Sequence, residues 1–345
     1  MDCEPRRRLL KVFLIWAPLA TASLIFAQQT PTSANSAQLS RLDRWLRSPD
    51  ESVREDAIRE LSALRDPSAT PLLLRGLQDS NEVIRATAAW SFCLGSSNPE
   101  IISGLRKALN DGNDRVRASA VWSLSHIGGR AVLPDVVRMA TNDASGIVRF
   151  RATWGLAFIR DKSALPVAVH ALGDYNNSVR ERSALLAIDA LADKSLILLV
   201  LAQTNNVLPA TRRIVMYVLA KYGDQSVVPA LINGLKDPDA LVRGEAAIAL
   251  GKLRARSALP ALQGALRDPD DHVRGSAAYG VGLMGDAEGV SVLRPMLQDN
   301  SAFVRAVTAD SLRTLGDRTV APPEGFKSSE LFTFPIYSPE QKDLY

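Results

Sequence analysis

Three histidines, two cysteines and two recurring columns of charged and aromatic side chains are the material with which this chain could do chemistry. A protein metal site needs several His, Cys or carboxylate ligands converging at short, characteristic spacings. His126, His170 and His272 are widely separated, and none is followed by glutamate. No Cys-x-x-Cys or His-Glu-x-x-His occurs. Cys93 has no histidine near it, so a thiol nucleophile would lack an activating base. Gly280-Val281-Gly282-Leu283-Met284-Gly285 spells G-x-G-x-x-G. That fingerprint works only after a strand and before a helix start; here the glycines end a helical pattern. The expectation is therefore no catalytic residue, no metal and no cofactor.

What remains is recognition chemistry. Arg54, Arg85, Arg117, Arg149, Arg180, Arg212, Arg243, Arg274 and Arg305 recur at intervals of 31 or 32 residues. Six positions before them stand Ser48, Asp79, Asp111, Asp143, Asp174, Asn206, Asp237, Asp268 and Asp299. At about 100° per residue, each arginine falls within the apolar sector of its helix. A buried guanidinium must be paired, and the acidic column is its natural partner, within a repeat or across the joint. The expected role is a structural Asp–Arg ladder; an anion-binding row is the alternative. Five positions after the arginine, about 140° round the helix, stand Arg59, Trp90, Trp122, Trp154, Leu185, Tyr217, Ile248, Tyr279 and Asp310. His126 and Phe158 flank this column. A row of large rings on a surface marks a contact site, with Trp and Tyr as favoured anchors. The competing expectation is that the rings simply fill space beside alanine and glycine.

The elements that position these residues follow from the same frame. Four positions before the arginine, eight of nine residues can cap a helix (Asp50, Asn81, Asn113, Ser145, Asn176, Asp239, Asp270, Ser301). The exception, Leu208, precedes Pro209, which suits a first helical turn. Valine, isoleucine or threonine precedes each arginine, and small or apolar residues follow at helical spacing. Gly128, Gly223, Gly285 and Gly316, eleven positions on, predict left-handed terminators. A second helix opens with Pro71, Pro134, Pro166, Pro229 or Pro260. Each period is thus a pair of helices that can bury its apolar side only against its neighbours.

Leu235 to Gly251, with Leu266 to Gly282 and Leu109 to Ser125 nearly as well, resembles the HEAT repeat in the bacterial form named after phycobilisome lyases. The resemblance implies an all-α, right-handed solenoid of about nine two-helix repeats over residues 38–318. It also implies that the capped helix, and so the aromatic column, lines the concave side. Function within this family ranges over scaffolds, binding proteins, bilin lyases and an iron oxygenase, deoxyhypusine hydroxylase. The oxygenase is recognised by His-Glu dipeptides, which this chain lacks. The repeat around Arg212, without its aspartate, cap and valine, is expected to be irregular.

The remaining segments bound the destination. Arg6, Arg7, Arg8 and Lys11 precede an apolar stretch from Val12 to Phe26, and small residues follow. This predicts a cleaved export signal over 1–27, with a periplasmic or secreted destination, since the apolar stretch is short of the ~20 residues of a membrane span; an uncleaved N-terminal membrane anchor is the alternative. A polar linker, 28–37, comes next. The single cysteine left after cleavage makes no internal disulfide. A net charge of +4 from 41 basic and 37 acidic residues gives no footprint for nucleic acid. Residues 319–345 read as an extended tail with Leu331, Phe332, Phe334, Ile336 and Tyr337, capping the array or binding a partner. The expectation is an exported, non-catalytic scaffold holding a protein or peptide at Trp90, Trp122, Trp154, Tyr217, Tyr279, His126 and Phe158. The other-class reading is an enzyme or enzyme accessory akin to HEAT-type lyases or oxygenases.

Overall fold

The computed structural model describes residues 36–95, 97–321 and 327–332. The expected leader, the linker through residue 35, and Phe334, Ile336 and Tyr337 lie outside the described residues. Among the described residues there are helices and no strands; the fold is an all-α solenoid of helix pairs. The chain divides into two compact bodies, Met1–Ile159 and Arg160–Tyr345.

In the first body the arginine-bearing helices are Glu51–Leu64, Glu82–Ser91, Asp114–Ile127 and Gly146–Ile159. Their partners are Ser36–Trp45, Thr70–Gly76, Pro99–Ala108 and Leu133–Asn142. In the second body the arginine helices Pro209–Tyr222, Ala240–Lys252, Asp271–Met284 and Ala302–Thr314 follow Ala184–Leu191, which is entered through a π-helical turn, Val179–Ser183. Within each body, successive arginine helices pack on one another and on their partner helices. The residue before the arginine drives that packing: Ile84, Val116 and Val148 in the first body, and Val179, Val242, Val273 and Val304 in the second, are fully buried. Thr211 takes the valine's place and is equally buried. Its hydroxyl is satisfied by donating to the Leu172 carbonyl at 2.7 Å, which removes the cost of a buried unpaired group.

Helix starts are made by the side chains the sequence singles out. Asp50, Asn81, Asn113, Asn176, Asp239 and Asp270 accept amides of their own first turns. The two serines depart from this. Ser145 donates its hydroxyl to Asp114 and Ser301 donates to Asp271, each an acid of the preceding repeat; Ser301 makes no cap bond. Helix ends also differ from expectation. Gly285 and Gly316 are left-handed, with φ of 71° and 92°, but so are Arg65, Arg160 and Arg254 at the equivalent position. Gly128 and Gly223 are not left-handed. They are glycine for space: a Cβ on Gly128 would meet Val132 Cγ1 at 2.3 Å, and one on Gly223 would meet the Leu219 carbonyl oxygen at 2.5 Å.

The segment after the last repeat is not simply extended. Ser328–Leu331 is a helical turn, and Phe332 behind it is buried. No helix among the described residues is long and apolar enough to cross a membrane.

Candidate functional site

Six arginines pair with the aspartate of the next repeat rather than with that of their own. In the first body Arg54 Nε and Nη2 hold the Asp79 carboxylate at 2.8 and 3.1 Å. Arg85 holds Asp111 at 2.7 and 3.0 Å, and Arg117 holds Asp143 at 2.8 and 2.9 Å. In the second body the same fork joins Arg212 to Asp237, Arg243 to Asp268 and Arg274 to Asp299, all between 2.7 and 2.9 Å. Nη1 points backward to two turn carbonyls of its own repeat, as from Arg243 to Asp237 and Pro238; Arg149 and Arg305 make these carbonyl bonds too. Each aspartate meanwhile accepts the amide two residues on, as at Asn81, Asn176, Asp239 and Ser301. One guanidinium therefore ties the turn of its own repeat to the turn of the next. Bidentate, charge-assisted bonds of this kind are the strong class. The Arg85 guanidinium holds the Asp111 carboxyl below the ordinary carboxylate range, and Arg274 does the same to Asp299. With both charges paired, these six arginines have little left to offer an anion.

Arg180 is the exception. Its forward position holds Asn206 instead of aspartate. It donates to the Asp174 carbonyl and to the Asn177 side chain, while its buried Nε has no hydrogen-bond partner among the described residues. Burial pushes its pKa down. The irregularity expected at the Arg212 repeat thus appears one repeat earlier, in the π turn carrying Arg180. The pairing rule explains this: a missing aspartate strands the preceding arginine. Arg212 itself is fully paired.

The aromatic residues of the first body form one contiguous cluster. Trp90 and Trp122 stack with centroids 5.8 Å apart and planes 4° apart. Trp154 and Phe158 meet Trp122 edge-on at 5.1 and 5.4 Å. His126 lies 4.4 Å from Trp122 and 4.0 Å from Phe158. Phe150 extends the cluster through Trp154. The Arg151 guanidinium lies 4.8 Å over Trp90 and 5.1 Å over Trp122, a cation–π geometry. Trp122 is only 3% exposed, so it is the keel of the cluster and not a ring a partner can reach. Trp90, Trp154, Phe158 and His126 are half-buried around it. The helices approach closely because position 155 has no side chain: a Cβ there would meet Ser125 Oγ at 2.1 Å. His126 Nδ1 lies 2.7 Å from the Trp122 carbonyl oxygen. Burial lowers the histidine's pKa, against that hydrogen bond. Phe150 stands about 100° round the helix from the ladder arginine, beside the expected contact column, whereas Arg151 is outside it; both lie within the turn before Trp154.

In the second body the column changes character. Tyr217 is half-buried with Lys252 Nζ 5.5 Å over its ring. Tyr279 is stacked by Phe332 at 4.8 Å. Among the described residues no continuous row of exposed rings exists there. His170 is exposed on the helix Leu165–His170, and His272 lies against Phe303. Cys93 is half-buried, its thiol pushed up to about 11 by burial. Among the described residues no group of three or more His, Cys, Asp or Glu is placed to hold a metal ion. The G-x-G-x-x-G glycines are packing and capping residues: a Cβ on Gly280 would meet the Ala247 carbonyl oxygen at 2.4 Å, one on Gly282 would meet Ser311, and Gly285 ends the helix.

The HEAT-repeat family profile matches residues 27–93, 77–157, 197–280 and 265–323. No curated protein matches the sequence. Among solved structures, the karyopherin Kap121p bound to the extreme C-terminus of the phosphatase Cdc14p is 16% identical, with a TM-score of 0.65 over 90% of this chain. Kap121p bound to Ste12p gives 17% identity and the same TM-score. In both comparisons this chain spans 41% of the karyopherin's length. YibA of Escherichia coli is 21% identical over 78% of this chain and 99% of its own, with a TM-score of 0.47.

Proposed function

This chain belongs to the HEAT-repeat family, and from that premise we propose that it is an exported, non-catalytic scaffold that grips a protein or peptide segment on the concave side of its repeats. The observation that carries the reading is the ring cluster of the first body, with Trp90, Trp154, Phe158 and His126 half-buried around Trp122 and crossed by Arg151. Clustered aromatics with an arginine have the composition of protein-interaction hot spots. The karyopherin structures, with the Cdc14p C-terminus and Ste12p bound, supply a precedent of fold for holding protein segments. Export rests on the sequence of residues 1–27, and the mature N-terminus is predicted after Ala27 or at Ala20-Thr21-Ala22.

The test spares the buried ring. Trp90→Ala with Phe158→Ala removes two half-buried rings and leaves Trp122 in place. Capture of a partner from the exported fraction should fall at least tenfold, with the helical circular dichroism spectrum retained. Undiminished capture by a folded double variant would remove this surface from the proposal.

A further inference from the structure

The C-terminal turn lies on the last two repeats in a manner that an end cap does not require. Phe332 stacks on Tyr279 at 4.8 Å and lies 6.1 Å from His272, both in the penultimate repeat, and 6.0 Å from Phe303 in the last. Asp310, one repeat on from Tyr279 in the same column, accepts the Ser328 amide at 2.9 Å. A cover for the open end of an array would touch the final repeat alone. This segment instead occupies the face that carries the aromatic column. The seat is built for rings. His272 and Phe303 are parallel to within 9°, and each rests on a glycine of the preceding repeat. A Cβ on Gly275 would meet Phe303 Cε1 at 2.4 Å, and one on Gly244 would meet His272 at 3.2 Å. Glycine follows the ladder arginine only at these two repeats. The segment is also imperfectly held. The Ser328 hydroxyl is completely buried with no hydrogen-bond partner among the described residues, an arrangement that weakens docking.

We propose that Tyr279, His272, Phe303 and Asp310 form a recognition site for a short peptide turn bearing an aromatic residue, and that the chain's own Ser328–Phe332 segment is its tethered occupant. This rests on the reading that the aromatic face binds protein segments, and it names the partner chemistry: a free amide opening a helical turn, for Asp310, and an aromatic ring four residues later, for Tyr279. A partner segment in trans binds by displacing Phe332. A tethered occupant acts at an effective concentration of roughly millimolar, so only a better-matched segment competes.

The test uses the full chain and a labelled, end-blocked peptide of sequence Lys-Ser-Ser-Glu-Leu-Phe, followed by fluorescence anisotropy. Phe332→Ala removes the ring that anchors the tethered segment on Tyr279 without altering the walls of the seat, and should raise peptide affinity at least tenfold over the wild type. Ser328→Pro releases the segment by removing the amide that Asp310 accepts, and should give the same gain. Asp310→Ala in the Phe332→Ala background should return affinity to the wild-type level, and a peptide with Ala for Phe should not bind. Equal affinity of wild type and both release variants overturns the proposal, as does binding that ignores the peptide's Phe. If capture at Trp90 and Phe158 stands while these variants ignore the peptide, the tethered-ligand inference falls alone.

Discussion

At Arg243, one guanidinium satisfies Asp268 of the next repeat and two carbonyls of its own turn, with its side chain 15% exposed. Truncation therefore orphans a largely buried carboxylate as well as removing the fork. Arg243→Ala should cost about 3 kcal/mol, the order seen when one partner of a buried pair is removed, read as a lowered midpoint in denaturant melts. An unchanged midpoint would reduce the ladder to surface decoration. The opposite experiment exists at the vacancy. Asn206→Asp supplies the carboxylate that Arg180 lacks and should stabilise the second body by roughly 1.5–3 kcal/mol, the scale of a hydrogen bond to a charged group. A loss of stability would mean that the π turn, and not the missing charge, fixes Arg180. Ladder membership was readable from the columns. The direction of pairing was not, because residues six apart in one turn and 25 or 26 apart across a joint are equally plausible in sequence.

The helices are held at close range by residues that lack side chains. Gly280 lets Asp271–Met284 settle on the backbone of Ala240–Lys252, where a Cβ would strike the Ala247 carbonyl at 2.4 Å. Gly280→Ala should destabilise by about 2 kcal/mol, since overpacking against backbone typically costs 1–3, despite alanine's better helix propensity. A stabilising result would show that the helices slide apart freely. Capped starts and proline-led second helices were legible because a single side chain decides them. The short 3-10 turns before the proline helices are not marked by the repeat columns, although Asp66, Asp161 and Asp224 each accept the amide of a serine two residues on. Left-handed arginines at 65, 160 and 254 were hidden because that conformation favours glycine, and nothing local marks the exception.

At the scale of the molecule, the two bodies should answer acid in opposite directions. In the first, burial lowers the pKa of His126. Below the unfolded histidine value of about 6.5 the unfolded chain binds a proton that the folded chain refuses, so stability falls with pH. In the second, burial raises Glu245 from 4.5 to about 7, with Lys252 and Arg213 opposing. Between those values the folded state holds the extra proton, so stability rises as pH falls. The described tryptophans all lie in the first body. Tryptophan-detected melting should therefore drop from pH 7 to 5, while amide protection factors in Ala240–Lys252, corrected for the pH dependence of intrinsic exchange, rise. Parallel changes in both readouts would refute this division. Below about pH 4 the ladder aspartates, held low in the fold, protonate, and both bodies should then lose stability together.

The helix pairs, their period, most of the side-chain caps at their starts and the residues that share a face are legible along the chain, because each follows from side chains a few positions apart repeated many times over. The folded molecule settles the rest: six arginines reach into the next repeat, Trp122 is sealed beneath its neighbours, and Phe332 sits on Tyr279. Those outcomes depend on which surfaces meet across a joint and on how closely backbones approach, and a one-dimensional register carries no distance.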